Sequence, residues 1–321
     1  MMHAAVVRSF DAPPRYEAFE TPSPKGEHEV LVDVLAAGLH PRVRSGASGS
    51  HYTSSGALPL IPGIDGVGRL PNGERIYFVA PDTALGTMAE QAVADIRRSV
   101  PLPDGVDEVK VAAAMNPAMS SWVALRRRVK LEPGQDVLVL GATGNAGQMA
   151  IQIAKRLGAR RVIGAGRDLE RLREARALGA DEVVSLSGDA KASAAAVAEA
   201  ACEVDLVLDY LWGKPAQETI PALLTQRSDR SRALDWIQIG SMAGPTIELP
   251  SVALRSANFR LQGNGQGAVS LRGYLAELPS LVEEIAQGHL KVSTVTVPLR
   301  DVEHAWTQPL TAGQRAVIVM A

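Results

Sequence analysis

Residues 136–158 read DVLVLGATGNAGQMAIQIAKRLG, and this stretch decides the fold. It opens with a five-residue run of strand length, DVLVL, in which four positions are apolar. It continues with apolar residues at helical spacing, which stop at Gly158. Between these two halves stand Gly141, Gly144 and Gly147. The order of strand, glycine-rich turn and helix predicts the first unit of a parallel α/β domain.

The three glycines suggest a ligand as well as a turn. A pyrophosphate approaches the backbone closely only where no Cβ intervenes, and the helix must also pack tightly against its strand. The exposed N–H groups at the start of the helix, together with its dipole, then hold the phosphates. The turn therefore predicts a dinucleotide site. A tight strand–helix turn that binds nothing is the alternative.

Strand-like and helix-like segments alternate on both sides of this turn, from about residue 107 to residue 240. Further strands are expected at 161–163, 182–186, 204–208 and 236–239. Nearly continuous apolar strands joined by helices form a parallel sheet that is covered on both faces. This region is therefore predicted to be a doubly wound α/β domain.

The segments on either side of this region differ from it in composition and in the length of their apolar runs. The first 110 residues hold 11 of the 20 prolines and short strand-like runs such as 29–35, while 88–94 fits a strand or a helix. After Gly240 the chain is rich in turns again, with a helix expected within 271–288 and a break at Pro279. This order predicts one continuous domain inserted within another.

Composition excludes several classes of function. The 321 residues include 33 basic and 35 acidic ones, for a net charge of −2, so no nucleic-acid partner is expected. No apolar run approaches the roughly 20 residues that cross a bilayer, and no signal-like segment opens the chain. We therefore expect no membrane partner and a cytoplasmic location. The single cysteine, Cys202, excludes an intramolecular disulfide and a zinc site built on two thiolates of one chain.

Residues 133–168, with their G-x-x-G-x-x-G spacing, resemble the medium-chain dehydrogenase/reductases, and among them the zinc-independent, quinone oxidoreductase-like branch. The resemblance implies a Rossmann-type dinucleotide-binding domain, residues 116–256, inserted in a GroES-like, mainly β catalytic domain formed by residues 1–115 and 257–321. It also implies catalysis in a cleft between them. Further matching segments are 27–39, 60–68, 86–93, 116–125, 205–209, 239–241 and 301–306.

The end of the second strand indicates which dinucleotide binds. In relatives that use the non-phosphorylated cofactor, an acid there binds the adenosine ribose. Here the position holds Gly166, followed by Arg167, with Arg171 four residues further on. Because an arginine fork binds a ribose 2′-phosphate at two points, NADPH is the expected cofactor. Asp168 is expected to cap the next helix, and solvated arginines are the alternative for this pattern.

Loops at the same edge of the sheet complete the expected cofactor site. Residues 210–211 and 239–242 follow strands whose carboxyl ends face the ligand, although ordinary turn chemistry is the alternative. The resemblance puts 239–242 near the nicotinamide and Asn264 in a loop that closes on the cofactor and joins subunits. The expected cofactor contacts are Gly141, Thr143, Gly144, Asn145, Ala146, Gly147, Gly166, Arg167, Arg171, Tyr210, Leu211, Ile239, Gly240, Ser241, Met242 and Asn264.

No metal is expected. Zinc-dependent relatives bind zinc through Cys and His side chains and a carboxylate. Their Cys position corresponds to His40 here and their His position to Ile64, with Asp65 next. One histidine and one aspartate do not form a zinc site without further ligands.

Without a metal, hydride transfer relies on positioning and on a hydrogen-bond donor for the oxygen that gains charge. The candidate donors are His40, Tyr52 and Asn116. The resemblance puts the residue at the His40 position, often Asn in relatives, near the nicotinamide, and a tyrosine of the next loop against the substrate. As alternatives, His40 caps the turn before Pro41 and Tyr52 is an ordinary half-buried surface residue.

The expected function is zinc-independent hydride transfer from NADPH to a small molecule, either a quinone or an α,β-unsaturated carbonyl. A ketone or aldehyde reductase of the same fold is one alternative, and a catalytically silent NADPH-binding protein is another. Relatives pair through the edge strand of the cofactor domain. Residues 258–262 (NFRLQ) fit such an edge, so a homodimer is expected.

Overall fold

A computed structural model describes residues 1–81, 83–265, 267–308 and 313–320. The strands are β1 (Met2–Val6), β2 (Arg15–Phe19), β3 (Glu29–Leu39), β4 (Asp65–Arg69), β5 (Arg75–Val79), β6 (Gln91–Asp95), β7 (Ser99–Pro101), β8 (Asp136–Leu140), β9 (Arg161–Gly166), β10 (Glu182–Ser185), β11 (Leu206–Asp209), β12 (Leu234–Gln238), β13 (Phe259–Gly263), β14 (Ser293–Pro298) and β15 (Gln314–Val319). The helices are α1 (Pro41–Ala47), α2 (Glu108–Val123), α3 (Asn145–Arg156), α4 (Leu169–Ala177), α5 (Ala190–Ala201), α6 (Gly213–Gln226), α7 (Leu271–Leu275), α8 (Leu278–Ala286) and α9 (Val302–Thr307).

The chain divides into two compact units, residues 1–116 with 278–321 and residues 117–277. The sequence prediction placed the second boundary after residue 256 instead. Residues 257–277 belong with the middle unit because β13 pairs along its whole length with β12.

The middle unit is built on a parallel sheet with the strand order β10-β9-β8-β11-β12-β13. Counted within the unit, this is the order 3-2-1-4-5-6 of doubly wound dinucleotide-binding folds. A doubly wound parallel sheet is what the sequence predicted. All five positions of β8 are buried, and Trp236 packs edge-on against Phe259 at 6.4 Å between ring centroids. The strand order reverses between β8 and β11, which places Leu140 opposite Asp209. Ligands bind at such a reversal, beyond the carboxyl ends of the strands.

The other unit is mainly β. Its larger sheet runs β14-β15-β3-β4-β5-β7, with β6 paired to β3, and β1 and β2 form a separate antiparallel pair. Apart from the parallel pair β14–β15, the strand pairs of this sheet are antiparallel. The ambiguous segment 88–94 contributes β6, because its residues pair in register with β3. The mainly β unit with an α/β insertion is the predicted fold class.

Two prolines lie within helices. Helix α2 continues through Pro117 and ends in a π-type turn at Ala124–Arg128. The predicted break at Pro279 lies slightly earlier, between α7 and α8, so that Pro279 occupies the first turn of α8. Proline is tolerated there because an N–H in the first turn has no intrahelical partner. None of the helices in the described part of the chain is long and apolar enough to cross a membrane.

Candidate functional site

The turn between β8 and α3 depends on two of its glycines for its shape. Gly141 has φ +92°, a left-handed conformation that favours glycine. A Cβ at Gly147 would lie 2.2 Å from the carbonyl oxygen of Gly141, so only glycine lets α3 approach the end of β8 this closely. The shape of the turn is therefore fixed by close backbone packing.

Gly144 has a different role. It is exposed and stands at the N-cap of α3, where an added Cβ would meet only the Gly141 carbonyl oxygen, at 3.6 Å. The space over this glycine is open, and the N–H groups of the first turn of α3 have no intrahelical partners. Open space over a glycine at a helix N-terminus, next to the strand-order reversal, fits the pyrophosphate of a dinucleotide.

At the end of β9, Gly166 lies against Thr143 of the glycine-rich turn. A Cβ at Gly166 would lie 2.4 Å from Thr143 Cγ2, so a side chain at this position has no room while Thr143 keeps its place. Arg167 follows and is exposed, and Asp168 caps α4, as predicted, by accepting from the N–H groups of Glu170 at 3.0 Å and Arg171 at 3.1 Å.

Arg171 takes a different position from the exposed fork suggested by the sequence. Its side chain is buried, with 5% relative exposure, and its Nε donates to the Thr143 carbonyl at 3.2 Å. Its Nη1 pairs with Glu174, while its Nη2 has no hydrogen-bond partner within the described residues. Arg171 thus supports the glycine-rich turn through its bond to the Thr143 carbonyl. Arg167 is the exposed arginine at the end of β9.

The loop after β11 is organised by Asp209. Its fully buried carboxylate accepts from the N–H groups of Leu211 at 2.8 Å and Trp212 at 2.9 Å, and from Trp236 Nε1 at 3.0 Å. Burial raises the pKa of Asp209, and these three hydrogen bonds oppose that rise. The carboxylate fixes the chain at residues 210–211 next to Gly141, where a Cβ on that glycine would come within 3.1 Å of Tyr210 Cβ.

The segment after β12 joins the same edge. The N–H groups of Ile239 and Gly240 donate to the Asp209 carbonyl at 2.8 and 3.1 Å, which brings 239–242 beside 209–211. A Cβ at Gly240 would lie 2.8 Å from the Tyr210 carbonyl oxygen. Ser241 and Met242, which come next, are exposed. These predicted cofactor residues are therefore gathered at the carboxyl ends of β8, β11 and β12.

Two polar side chains near this edge of the sheet form hydrogen bonds within the protein. The Tyr210 hydroxyl lies 3.1 Å from Ser120 Oγ, and burial raises the pKa of Tyr210 to about 12. Asn264 donates through Nδ2 to the Ser120 carbonyl at 2.8 Å and through its backbone N–H to Gln238 at 2.8 Å. The Asn264 side chain thus anchors its own loop to residue 120.

In the β unit, His40 follows β3 and lies in a buried polar cluster. It has 2% relative exposure, and its Nε2 is 3.4 Å from Asp65 Oδ1. Asp65 Oδ2 accepts from the Tyr77 hydroxyl at 2.8 Å, and the Arg315 guanidinium donates to the Leu39 carbonyl at 3.2 Å. His40 stands at the N-cap of α1 but makes no side-chain cap bond, so the capping alternative is not what the structure has.

The remaining candidates have other surroundings. Tyr52 is 71% exposed and stacks at a tilt on His51, with 4.3 Å between ring centroids, so it is not half-buried. Asn116 lies partly buried within α2.

The residues at the zinc positions of related enzymes make other contacts within the β unit. His40 and Asp65 pair with each other, and Ile64 packs against an apolar cluster of the β unit. Across the described residues there is no group of three or more His, Cys, Asp or Glu side chains placed to hold a metal.

Sequence reasoning overlooked several residues that support the site. An acid directly after an apolar strand was a usable signal for Asp209, and an arginine opening the apolar run RAVIV was one for Arg315. Nothing in the sequence marks Tyr77, Ser120 or Arg128, which donates to the carbonyls of Gly263 and Ala268 at 3.1 Å each.

Comparison with known proteins identifies the family. A family model described as zinc-binding dehydrogenase matches residues 146–229. The chain is 32% identical to the probable NADPH-dependent quinone reductase tdiC of Emericella nidulans, over an alignment that covers 99% of this chain and 100% of the relative. The chain belongs to the quinone oxidoreductase-like medium-chain dehydrogenase/reductases.

Solved structures share the fold of this chain. The quinone oxidoreductase of Thermus thermophilus, also crystallised with NADPH, is 26% identical and superposes with a TM-score of 0.77, covering 99% of this chain and 100% of that one. An alcohol dehydrogenase superfamily protein from Novosphingobium aromaticivorans, 23% identical over the whole of both chains, has the same fold, with a TM-score of 0.83. This medium-chain dehydrogenase/reductase is therefore a quinone reductase-like oxidoreductase.

Proposed function

We propose that this protein transfers a hydride from NADPH to a quinone or an α,β-unsaturated carbonyl, without zinc. The proposal rests on the open space over Gly144 and on a glycine and an exposed arginine at the end of β9. The open space fits a pyrophosphate, and β9 ends without the acid that selects a free ribose hydroxyl.

NADPH is the cofactor. Arg167 offers an exposed cation for the 2′-phosphate, and the acid beside it, Asp168, is occupied as the cap of α4. The Emericella nidulans relative, whose name specifies NADPH and a quinone, supports the same assignment. We propose that all sixteen residues predicted from the sequence lie at or beside the cofactor, with Arg171 and Asn264 acting by supporting their loops.

Bound NADPH supplies a hydride, which is a hydrogen with its two electrons. The acceptor also needs one proton, so that a quinone becomes a hydroquinone and an enone gains hydrogen at both carbons of its double bond. We propose that His40, Tyr52 and Asn116 face the substrate. Of these three residues, Tyr52 is the one that carries a hydroxyl, and its side chain is exposed, so it suits the supply of that proton.

Zinc has no place in this proposal because His40 and Asp65 pair with each other and Ile64 offers no ligand. We further propose a cytoplasmic homodimer that pairs through β13, since this strand forms an edge of the parallel sheet.

The proposal is tested by titrating the protein with NADPH and NADH while following nicotinamide fluorescence. Arg167→Ala is expected to weaken NADPH at least about tenfold, or about 1.4 kcal/mol, and to leave NADH unchanged. Arg173→Ala, an exposed arginine on α4, is the matched control and should change neither. If neither nucleotide bound the wild type, the proposal would be overturned.

Turnover is measured on the same samples with a panel of quinones, enones and simple ketones. Oxidation of NADPH by quinones or enones is the expected result. Activity restricted to ketones would favour the alternative reductase, and binding without any turnover would favour a silent NADPH-binding protein.

A further inference from the structure

Four neighbouring strands of the β unit each contribute one polar residue to the cluster around His40. The sheet order β15-β3-β4-β5 brings together Arg315 on β15, His40 just after β3, Asp65 on β4 and Tyr77 on β5. All four are buried, although an apolar interior is the usual content of such a sheet. Buried polar groups at this density need partners, so their contacts are informative.

The charges of the cluster are balanced when His40 is neutral. Asp65 carries one negative charge, and Arg315 keeps its positive charge at neutral pH because burial lowers its pKa only to about 10, opposed by Asp65. A protonated His40 would add a second buried cation, with Arg42 as a further repelling charge. Burial and these arginines lower the pKa of His40, while Asp65 opposes them. Tyr77 donates its hydroxyl hydrogen to Asp65 and brings no charge.

The contact with Asp65 also selects one tautomer. A carboxylate 3.4 Å from Nε2 attracts a hydrogen on that nitrogen and repels a lone pair. The second ring nitrogen, Nδ1, is buried and has no hydrogen-bond partner within the described residues. In a neutral ring with its hydrogen on Nε2, this atom carries a lone pair.

We propose that Asp65 is a positioning residue that holds His40 as the neutral imidazole protonated on Nε2, so that Nδ1 serves as a buried hydrogen-bond acceptor. Tyr77 donates a hydrogen bond to the other oxygen of the Asp65 carboxylate. The consequence for catalysis rests on the proposed function: His40 accepts a hydrogen bond from a hydroxyl of the hydroquinone that forms, and it does not itself supply the proton.

The tautomer is read directly by ¹⁵N NMR on the full chain with labelled histidine. Six histidines contribute signals, and His40→Asn identifies the signals of His40 by their disappearance. At about pH 7, the expected result is a neutral ring with the hydrogen on Nε2. A hydrogen on Nδ1, or a doubly protonated ring, would overturn the proposal.

Variants test the role of Asp65. Asp65→Asn is expected to abolish the preference for one tautomer, because an amide can face Nε2 with either its oxygen or its NH₂ group. Tyr77→Phe is the matched control, since it leaves the Asp65 oxygen nearer His40 in place and should retain the tautomer. If Asp65→Asn does not fold, the wild-type and Tyr77→Phe spectra still decide the proposal.

Turnover separates this inference from the proposed function. His40→Leu removes the acceptor and should lower quinone reduction about tenfold, whereas His40→Asn keeps an acceptor near the Nδ1 position and should lose less. Equal turnover in all three proteins would remove His40 from the substrate site and overturn the catalytic consequence. The NMR result for Asp65 would still stand, and NADPH binding would still support the cofactor assignment.

Discussion

At the end of β9, we expect the choice of cofactor to depend on the contact between two residues. Gly166 has no room for a side chain because Thr143 Cγ2 would lie 2.4 Å from its Cβ. Replacing the glycine by an acid, the residue that selects NADH in relatives, therefore requires Thr143 to move.

We expect Gly166→Asp alone to weaken NADPH without producing useful NADH binding. Gly166→Asp combined with Thr143→Gly removes the clash and should reverse the preference, since the acid can then bind the ribose hydroxyls. Thr143→Gly alone is the control and should keep the preference for NADPH. Fluorescence titration of the three variants measures this. Tight NADH binding by Gly166→Asp alone would mean that Thr143 moves aside freely.

Arg171 and Arg167 should behave differently when each is removed. Arg171 is buried and holds the Thr143 carbonyl, so Arg171→Leu is expected to weaken NADPH and NADH by similar factors, because the turn that binds both is disturbed. Arg167→Ala should affect NADPH only. A loss confined to NADPH in Arg171→Leu would instead make Arg171 a ligand of the 2′-phosphate.

At the scale of elements, two glycines at the junction of β8 and α3 have different surroundings. Gly147 is needed for packing because its Cβ would lie 2.2 Å from a backbone oxygen. Gly144 has open space over it and a conformation, φ −82° and ψ 160°, that other residues adopt.

Gly147→Ala is therefore expected to destabilise the protein by about 1–3 kcal/mol or more, as overpacking does. Gly144→Ala should change stability by less than about 1 kcal/mol while weakening NADPH at least about tenfold, because its methyl group occupies the proposed phosphate site. Denaturant unfolding and fluorescence titration of both variants provide the comparison. A stable Gly144→Ala protein with unchanged affinity would contradict the placement of the pyrophosphate.

At the scale of the whole molecule, sheet topology assembles the candidate cofactor site and leaves one strand at the edge of the sheet. The order β10-β9-β8-β11-β12-β13 brings the loops after β8, β11 and β12 to one edge, and it leaves β13 as an outer strand. An unpaired strand edge carries free backbone donors and acceptors, which favour association with a second copy.

We expect light scattering at micromolar concentration to give twice the 33.9-kDa mass of the chain. A monomer mass would refute the proposed homodimer. The nucleotide titrations do not depend on this result, so the cofactor assignment is judged separately.

The sequence determined the parallel α/β domain, the glycine-rich turn, the Gly166–Arg167 strand end and the cap at Asp168. These features depend on residues close together in the chain, whose spacing and backbone preferences are readable without a fold. The family followed from the same stretch and from motifs along the rest of the chain.

Only the tertiary structure decided what the polar side chains contact. His40, Asp65, Tyr77 and Arg315 come from distant parts of the chain and meet because four strands are neighbours in one sheet. In the same way, only the structure shows that β13 belongs to the parallel sheet and that Arg171 donates to a carbonyl of the glycine-rich turn. Periodicity reports which face of an element is buried, but the partner of a buried polar group is set by strand order and packing, which local sequence does not encode.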